Sequence, residues 1–179
     1  MAALLSFFSP KFEKLKPYRI MFLGLVYGFV VSWLITTFVL KPLVARTRPF
    51  VQHPGAFDTY GVGDSYVTLP KSNESFPSGH ATSAFGMSGA LMARVKNWGW
   101  RILFYAYAVT LSLSRPFFGV HYVTDVLAGS IIGLAASLAF YLLFEYVNAK
   151  GKISEKTQKI LLIIGLLICL VSIVIDILE

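Results

Sequence analysis

The sequence predicts an all-α fold, a polytopic membrane bundle of about five transmembrane helices with an interfacial helix at its N-terminus. Of the 179 residues, 56% are hydrophobic and 14% are charged, whereas a soluble domain carries roughly 25% charged residues. The mean hydropathy of +0.67 also indicates an integral membrane protein. We therefore expect the lipid bilayer as a partner and no nucleic acid, because membrane topology accounts for the net charge of +7.

Five apolar runs supply the predicted helices. The runs are 18–40, 81–93, 102–113, 126–147 and 160–178. Spanning a bilayer takes about 20 residues, and helix can extend into Ser78–Gly79 and Trp98–Arg101 to lengthen the second and third runs. Small residues favour close helix packing at two places, where they repeat every four residues: Gly129, Gly133 and Ser137, and Thr82, Gly86 and Ala90. No linker or repeat separates the runs, so residues 1–179 are expected to form a single membrane-embedded domain.

The N-terminal segment has a pattern typical of an amphipathic helix in the membrane interface. Its apolar residues are Leu4, Leu5, Phe8, Phe12 and Leu15, and its lysines are Lys11, Lys14 and Lys16. A frayed tail fits this segment equally well.

The distribution of lysine and arginine predicts the orientation of the bundle. Eleven of the sixteen basic residues lie in segments 1–20, 94–101 and 148–159, which alternate along the chain. The positive-inside rule places these segments in the cytoplasm, with the N-terminus inside and the C-terminus outside. The other five basic residues fall on the outer side, and they are Lys41, Arg46, Arg48, Lys71 and Arg115. Basic residues in these disfavoured positions indicate an anion site.

Lys41 and Arg48 follow the first predicted span. They are seven residues apart, or two helical turns, so their long side chains are expected to converge from one face. Pro42 is expected to kink this helix and Pro49 to end it, because proline removes a backbone hydrogen bond. Taken alone, such a pair of cations is typical of an interfacial anchor.

The sequence Pro77-Ser78-Gly79-His80 is expected to open the next helix. Proline near the first helical position and serine as the cap are both start signals. A helix N-terminus offers free N–H groups and a positive dipole end to an anion. The small residues Ser78 and Gly79 would let a phosphate approach that backbone.

A third polar segment joins two apolar runs and places Arg115, His121 and Asp125 at the rim of the membrane, where ionisable groups are costly and mark functional sites. His121 and Asp125 are four residues apart, which on a helix puts them on one face. The carboxylate can hold one ring nitrogen protonated and leave the other free as base, ligand or nucleophile. The alternative is that these groups only mark a helix start.

The three segments together resemble the signature of the type 2 phosphatidic acid phosphatase superfamily. Eleven residues agree in type, order and spacing, in the pattern Lys41-x6-Arg48-Pro49, Pro77-Ser78-Gly79-His80 and Ser114-Arg115-x5-His121-x3-Asp125. The signature covers residues 41–125, and the chain resembles the compact bacterial members. One departure lies outside it, because many membrane members have two or more spanning helices ahead of the first motif.

The resemblance implies a role for each signature residue. His121, oriented by Asp125, would attack phosphorus and form a phosphohistidine. His80 would protonate the leaving oxygen and then activate water. The phosphoryl oxygens would be held by Lys41, Arg48, Ser78, Gly79 and Arg115. No metal and no other cofactor is expected, because the cationic side chains would hold the phosphate in place of a metal ion.

The resemblance also implies a membrane lipid phosphate as substrate, and a bacterial inner-membrane protein with its active site facing the periplasm. A small outer loop favours a bulky headgroup, as in lipid A 1-phosphate or undecaprenyl diphosphate. The alternatives are a phosphatidylglycerophosphate or phosphatidic acid phosphatase and a lipid phosphotransferase of the same superfamily. A vanadate haloperoxidase and a purely structural membrane protein are further candidates.

The loop at 50–76 is interpreted as a lid or lipid guide, or equally as an interfacial anchor.

Overall fold

The computed structural model describes residues 6–53, 56 and 73–178. Within these residues the regular elements are all helical, apart from one isolated bridge between Thr47 and Glu74, which confirms the all-α prediction. In chain order they are a 3₁₀ helix at Pro10–Tyr18, α1 at Arg19–Ile35, a π-helical turn at Thr36–Leu40, α2 at Lys41–Val44, α3 at Pro49–Gln52, α4 at Gly79–Arg94, α5 at Trp98–Phe117, α6 at Val123–Ala149 and α7 at Glu155–Leu178. Leu4, Leu5 and most of the loop at 50–76 lie outside the described residues, so their roles stay predictions.

Three stretches of the described chain are long and apolar enough to cross a membrane, namely Lys11–Val44, Val123–Ala149 and Glu155–Ile175. Helix α4 has 16 residues, fewer than the roughly 20 that a span needs. Helix α5 carries Arg101 and Arg115 within its 20 residues. The chain is therefore an apolar helical bundle suited to a membrane, and the count of five spans stays a prediction.

The N-terminal segment is helical, but with the tighter 3₁₀ geometry that the sequence pattern did not predict. Two prolines contribute no backbone N–H, and Phe12 departs from helical dihedral angles (φ −106°, ψ 25°). Phe7 is buried against Ile20 and Leu23 of α1, whereas Phe8 is exposed. The segment therefore has one side packed on the bundle.

Helix α6 runs through the centre of the bundle and packs closely on α4 and α1. On the α4 side the two rows of small residues face each other. A Cβ atom added at Gly129 would lie 2.6 Å from the Ser78 carbonyl oxygen, and one added at Gly133 would lie 2.8 Å from the Gly86 nitrogen. These glycines therefore permit a backbone-to-backbone contact that any side chain would prevent.

The ends of four helical stretches meet at one end of the bundle, which we call the site end. The Ser78 N–H, just before α4, donates to the Asp125 carbonyl near the start of α6 at 3.0 Å. The Phe50 N–H donates to the Gly119 carbonyl, between α5 and α6, at 3.0 Å. The three polar segments that the sequence singled out are therefore neighbours in space.

Adding a methyl group at Gly133 should force α4 and α6 apart. The Cβ atom of a Gly133→Ala variant would overlap backbone atoms of Thr82 and Gly86, which cannot move alone, and such overpacking costs about 1–3 kcal/mol. We expect a lower thermal unfolding midpoint, measured by circular dichroism in detergent. Gly86→Ala is the matched control, because its Cβ would meet Ser32 Oγ at an ordinary 3.5 Å while gaining the same helix propensity. Equal midpoints for the two variants would contradict this packing.

Candidate functional site

The first segment of the site leaves the helix before it reaches Arg48. Helix α2 ends at Val44, because Ala45 adopts the left-handed conformation (φ 45°, ψ 37°), and Arg48 is extended (φ −70°, ψ 149°). The expectation that Lys41 and Arg48 share one face of a continuous helix was therefore wrong. Pro49 begins α3 instead of ending the earlier helix, in line with the preference of proline for the first helical position.

Pro42 disturbs the helix in the way that its missing N–H predicts. Directly before it the chain widens into the π-helical turn Thr36–Leu40, and the Lys41 N–H bonds to the carbonyl of Thr36. A proline ring clashes with the carbonyl four residues earlier, and a π-type bulge relieves such crowding. Lys41 therefore stands at the end of an irregular turn.

Ser75 joins the first and third segments through its backbone. Its N–H donates to the Arg46 carbonyl at 2.7 Å, and its hydroxyl donates to the Thr47 carbonyl at 3.4 Å. Its own carbonyl oxygen lies 2.6 Å from Nδ1 of His121. Sequence reasoning missed this residue, because a lone serine before a Phe-Pro pair carries no functional signal.

Helix α4 begins at the site end, as the sequence predicted. Ser78 is its N-cap, and the buried Ser78 hydroxyl accepts from the Ala81 N–H at 3.4 Å. A Cβ atom added at Gly79 would meet nothing within 4 Å. The Gly79 backbone thus borders open space, from which an anion can reach the N–H groups of the first turn.

His121 lies just before α6, because that helix begins at Val123. The expectation that His121 and Asp125 share a helical face was wrong in that detail. A carbonyl oxygen only accepts hydrogen bonds, so the contact with Ser75 places a proton on Nδ1 of the ring. In the neutral ring Nε2 is then unprotonated, and Nη1 of Arg48 lies 3.3 Å from it.

The His121 ring is only 5% exposed, and this burial lowers the pKa of its imidazole below the ordinary value of 6.5. The Asp125 carboxylate and the Ser75 carbonyl raise this pKa, whereas the Arg48 guanidinium lowers it further. The net direction is downward. His121 is therefore a neutral imidazole at neutral pH.

The Asp125 carboxylate is fully buried and has partners for both oxygens. Oδ2 accepts from the Tyr122 N–H at 2.8 Å and lies 3.8 Å from Nδ1 of His121. Oδ1 accepts from Nη1 of Arg46 at 2.8 Å. The Ser75 carbonyl, 2.6 Å from Nδ1, is therefore nearer to the His121 ring than the Asp125 carboxylate is. The carboxylate lies farther away and acts on the ring through its charge.

Arg46 is the site-end cation to which the sequence interpretation gave no role. Besides Asp125, its Nη1 donates to Oγ1 of Thr124 at 2.7 Å. Its guanidinium carbon lies 3.8 Å from the centre of the Tyr122 ring, in a cation–π contact. Arg46 thus neutralises the carboxylate behind His121. Its place among the five basic residues that the positive-inside rule puts on the disfavoured side was the signal that could have found it.

Lys41 and Arg115 have no carboxylate partner in the part of the chain that the structure describes. Both are half-buried, and Nε of Arg115 donates to Oγ of Ser114 at 3.1 Å. His80 is exposed at the second position of α4. The groups that act electrostatically on its ring are Arg115, His121, Arg48 and Lys41. All three segments therefore converge on one cationic, histidine-bearing site.

Comparison with known proteins agrees with this arrangement. The sequence model of the PAP2 superfamily matches residues 22–149, which contain all three segments. The chain belongs to the PAP2 superfamily.

Relatives of this PAP2 protein carry the names of undecaprenyl and lipid A phosphatases. The chain is 28% identical over 135 residues to undecaprenyl-diphosphatase BcrC of Bacillus subtilis, covering 73% of this chain and 61% of the relative. It is 31% identical over 141 residues to a lipid A 1-phosphatase of Rhizobium etli, covering 73% and 58%, and 32% identical over 112 residues to a lipid A 4'-phosphatase of Bacteroides thetaiotaomicron, covering 62% and 48%. The match thus spans about half to three-fifths of these relatives. No solved structure gives a significant match.

The polar groups of the PAP2 site suit an anion. Lysine, arginine and the N–H groups of a helix N-terminus all donate hydrogen bonds or carry positive charge. Among the described residues, no group of three or more His, Cys, Asp or Glu side chains is placed to hold a metal ion. Metal-free function stays a prediction.

Inorganic phosphate should bind at the site end of this PAP2 protein and raise its thermal unfolding midpoint, because a ligand that binds the folded state stabilises it. We expect Arg115→Ala to lose most of the phosphate-dependent increase, measured by differential scanning fluorimetry. Arg101→Ala is the matched control at the opposite end of α5, where its Nε donates to the Val95 carbonyl at 2.6 Å. It should keep the full phosphate response. An undiminished response in Arg115→Ala would count against the site.

Proposed function

We propose that this PAP2 protein removes a phosphate from a membrane lipid phosphate or diphosphate through a phosphohistidine on His121, without a metal. The observation that carries the proposal is the 2.6 Å contact between Nδ1 of His121 and the Ser75 carbonyl. With the proton held on Nδ1, Nε2 is unprotonated, and its lone pair accepts from Nη1 of Arg48 at 3.3 Å until a phosphoryl group takes that place. A buried neutral imidazole beside a cation is suited to attack phosphorus.

The reaction has two steps. In the first, Nε2 of His121 bonds to phosphorus while the bond to the leaving oxygen breaks, and His80 supplies that oxygen with a proton. Loss of hydration and the nearby cations lower the pKa of His80 to about 4, and the negative charge of the bound phosphate raises it again, so that the ring carries this proton. In the second, His80 takes a proton from water, whose oxygen attacks phosphorus and releases Nε2. The phosphorylated ring is positively charged, and the Ser75 carbonyl and the Asp125 carboxylate stabilise it from the Nδ1 side.

The transferring phosphoryl group is held by fixed positive charge. Nη1 of Arg48 is anchored by the Val120 carbonyl at 2.9 Å while it faces Nε2, so a phosphoryl group on Nε2 lies against this guanidinium. Lys41 and Arg115 supply two further cations, and the first turn of α4, with Ser78 and Gly79, supplies N–H groups. These charges repel one another until a phosphate of about −1.5 to −2 binds, which favours occupation of the site.

The relatives support a lipid substrate. The relative from Bacillus subtilis is named an undecaprenyl-diphosphatase and that from Rhizobium etli a lipid A 1-phosphatase, and we propose one of these two lipids as the substrate. The distribution of basic residues supports a site on the periplasmic face of an inner membrane. Phosphatidylglycerophosphate and phosphatidic acid are the alternative substrates, and phosphate release from the four lipids compares them directly. A phosphotransferase would release no phosphate without an acceptor alcohol.

Replacing His121 and His80 one at a time should distinguish the nucleophile from the general acid. We expect His121→Ala to abolish turnover, and His80→Ala to lose about 10²–10⁴ in kcat/KM on a phosphate monoester. The loss on a lipid diphosphate should be smaller, because its phosphate leaving group needs less protonation. His53→Ala, an exposed histidine that follows α3, is the matched control and should retain activity. Equal losses on both substrates would remove His80 from the acid role.

Arg46 should set the acidic limit of activity through Asp125. His121 reacts in its neutral form and its pKa is lowered from 6.5, so the acidic limb of the kcat/KM profile is expected below that pH. An Arg46→Met variant leaves the Asp125 carboxylate without its counter-charge, which raises the His121 pKa and moves the acidic limb to higher pH. Arg46→Lys keeps the charge and should move the limb less. A loss of activity with an unmoved limb would show that Arg46 acts through packing alone.

A further inference from the structure

A groove lies between α5 and α6, with Phe85 of α4 at its floor. It has a volume of about 360 Å³, and its lining includes Phe85 of α4, Tyr105 and Val109 of α5, and Leu127 and Leu134 of α6. Helix α5 packs against α4, where the rings of Phe85 and Tyr105 meet edge to face at 6.0 Å. It makes few contacts with α6. The two helices therefore stand apart, and the gap between them forms the groove.

The groove begins at the site end. Its wall residue Val126 directly follows Asp125 on α6. From there its lining runs to Leu134 on α6, eight residues from Val126, and on α5 from Leu113 to Tyr105, also eight residues. At 1.5 Å per helical residue this depth is about 12 Å, and half of a bilayer's hydrocarbon core is about 15 Å. The groove is therefore nearly as deep as one leaflet.

Ser112 gives the upper part of the groove a polar group. It lines the groove one helical turn from Arg115 and is 1% exposed. Its hydroxyl has no hydrogen-bond partner among the described residues. A buried hydroxyl without a partner is costly, so a hydrogen-bond partner for Ser112 is favoured at this level. Arg115 lies one turn beyond the groove, and the groove itself is mainly apolar, with Ser112 and Ser130 among its lining residues. This order, from a cation to an apolar wall, matches that of a phosphate and its hydrocarbon chain.

We propose that this groove binds the hydrocarbon chain of the lipid whose phosphate is held by Lys41 and Arg115. The inference rests on the proposed function. The cations hold the anionic end at the mouth of the groove, and the covalent link to the phosphate brings the chain to its walls. Bilayer lipid is as apolar as the groove, so the chain gains affinity from packing and from this link and not from transfer out of water. Its contribution is therefore modest, about tenfold in Kd.

Binding to the His121→Ala protein in nanodiscs tests the proposal without turnover. The probes are undecaprenyl diphosphate and isopentenyl diphosphate, which share the diphosphate but differ in chain length, and the short chain does not reach along the groove. We expect the long chain to bind about tenfold more tightly. Ser130→Phe and Val109→Phe fill the groove from its two walls and should abolish that advantage, while the Kd of isopentenyl diphosphate stays unchanged.

Ala139→Phe is the matched control, because Ala139 is exposed and lies nine residues, or two and a half turns, from Ser130 on the opposite face of α6. It should keep the tenfold advantage. Unchanged binding of isopentenyl diphosphate shows that each variant is folded. The proposal is overturned if the long chain binds no more tightly than the short one, or if its advantage survives both groove substitutions. If binding follows the expectation but the unsubstituted protein releases phosphate neither from the two diphosphates nor from the other three candidate lipids, the groove stands and the proposed function alone fails.

Discussion

The hydrogen bond from Nδ1 of His121 to the Ser75 carbonyl holds the geometry of the site, and it joins residues 46 positions apart in the chain. Ser75 is placed to accept this bond because the preceding residue, Glu74, pairs with Thr47 in the isolated bridge. Arg48 follows Thr47 directly, so the same pairing also directs its guanidinium toward Nε2. One short antiparallel contact, beyond the helix ends, thus sets both the tautomer of the imidazole and the position of its neighbouring cation.

The buried carboxylate of Asp125 imposes a second constraint, because a charge taken out of water needs compensation. Asp125 obtains it from the Arg46 guanidinium, from the Tyr122 N–H and from the positive end of α6, where it occupies the third helical position. These partners take up part of its negative charge. His121 therefore stays a neutral nucleophile beside a carboxylate, and it gains stabilisation from that carboxylate once the ring becomes positively charged.

The helices, and the meeting of the three polar segments at one end of the bundle, were predictable from the sequence. Lipid leaves the backbone few alternatives to helix, and the three segments carry basic residues that the topology rule does not explain. The backbone conformation of the segments between those residues was not predictable. Ala45 in a left-handed conformation and the bridge to Glu74 depend on pairing with a distant segment, which local periodicity does not encode. The start of α6 was misplaced for a similar reason, since its cap is Tyr122, a residue type that gives no capping signal.

The groove and the cationic site share two helices that are held with unequal firmness. Helix α6 is fixed by glycine contacts to both α4 and α1, whereas α5 is held mainly through α4, by the Phe85–Tyr105 ring contact and by the bond from Ser88 Oγ to the Phe104 carbonyl at 3.2 Å. Helix α5 also carries Arg115. A hydrocarbon chain bound between α5 and α6 therefore affects the position of the Arg115 guanidinium. Binding energy from this unreactive part of the lipid can then be used to orient Arg115 toward the phosphate.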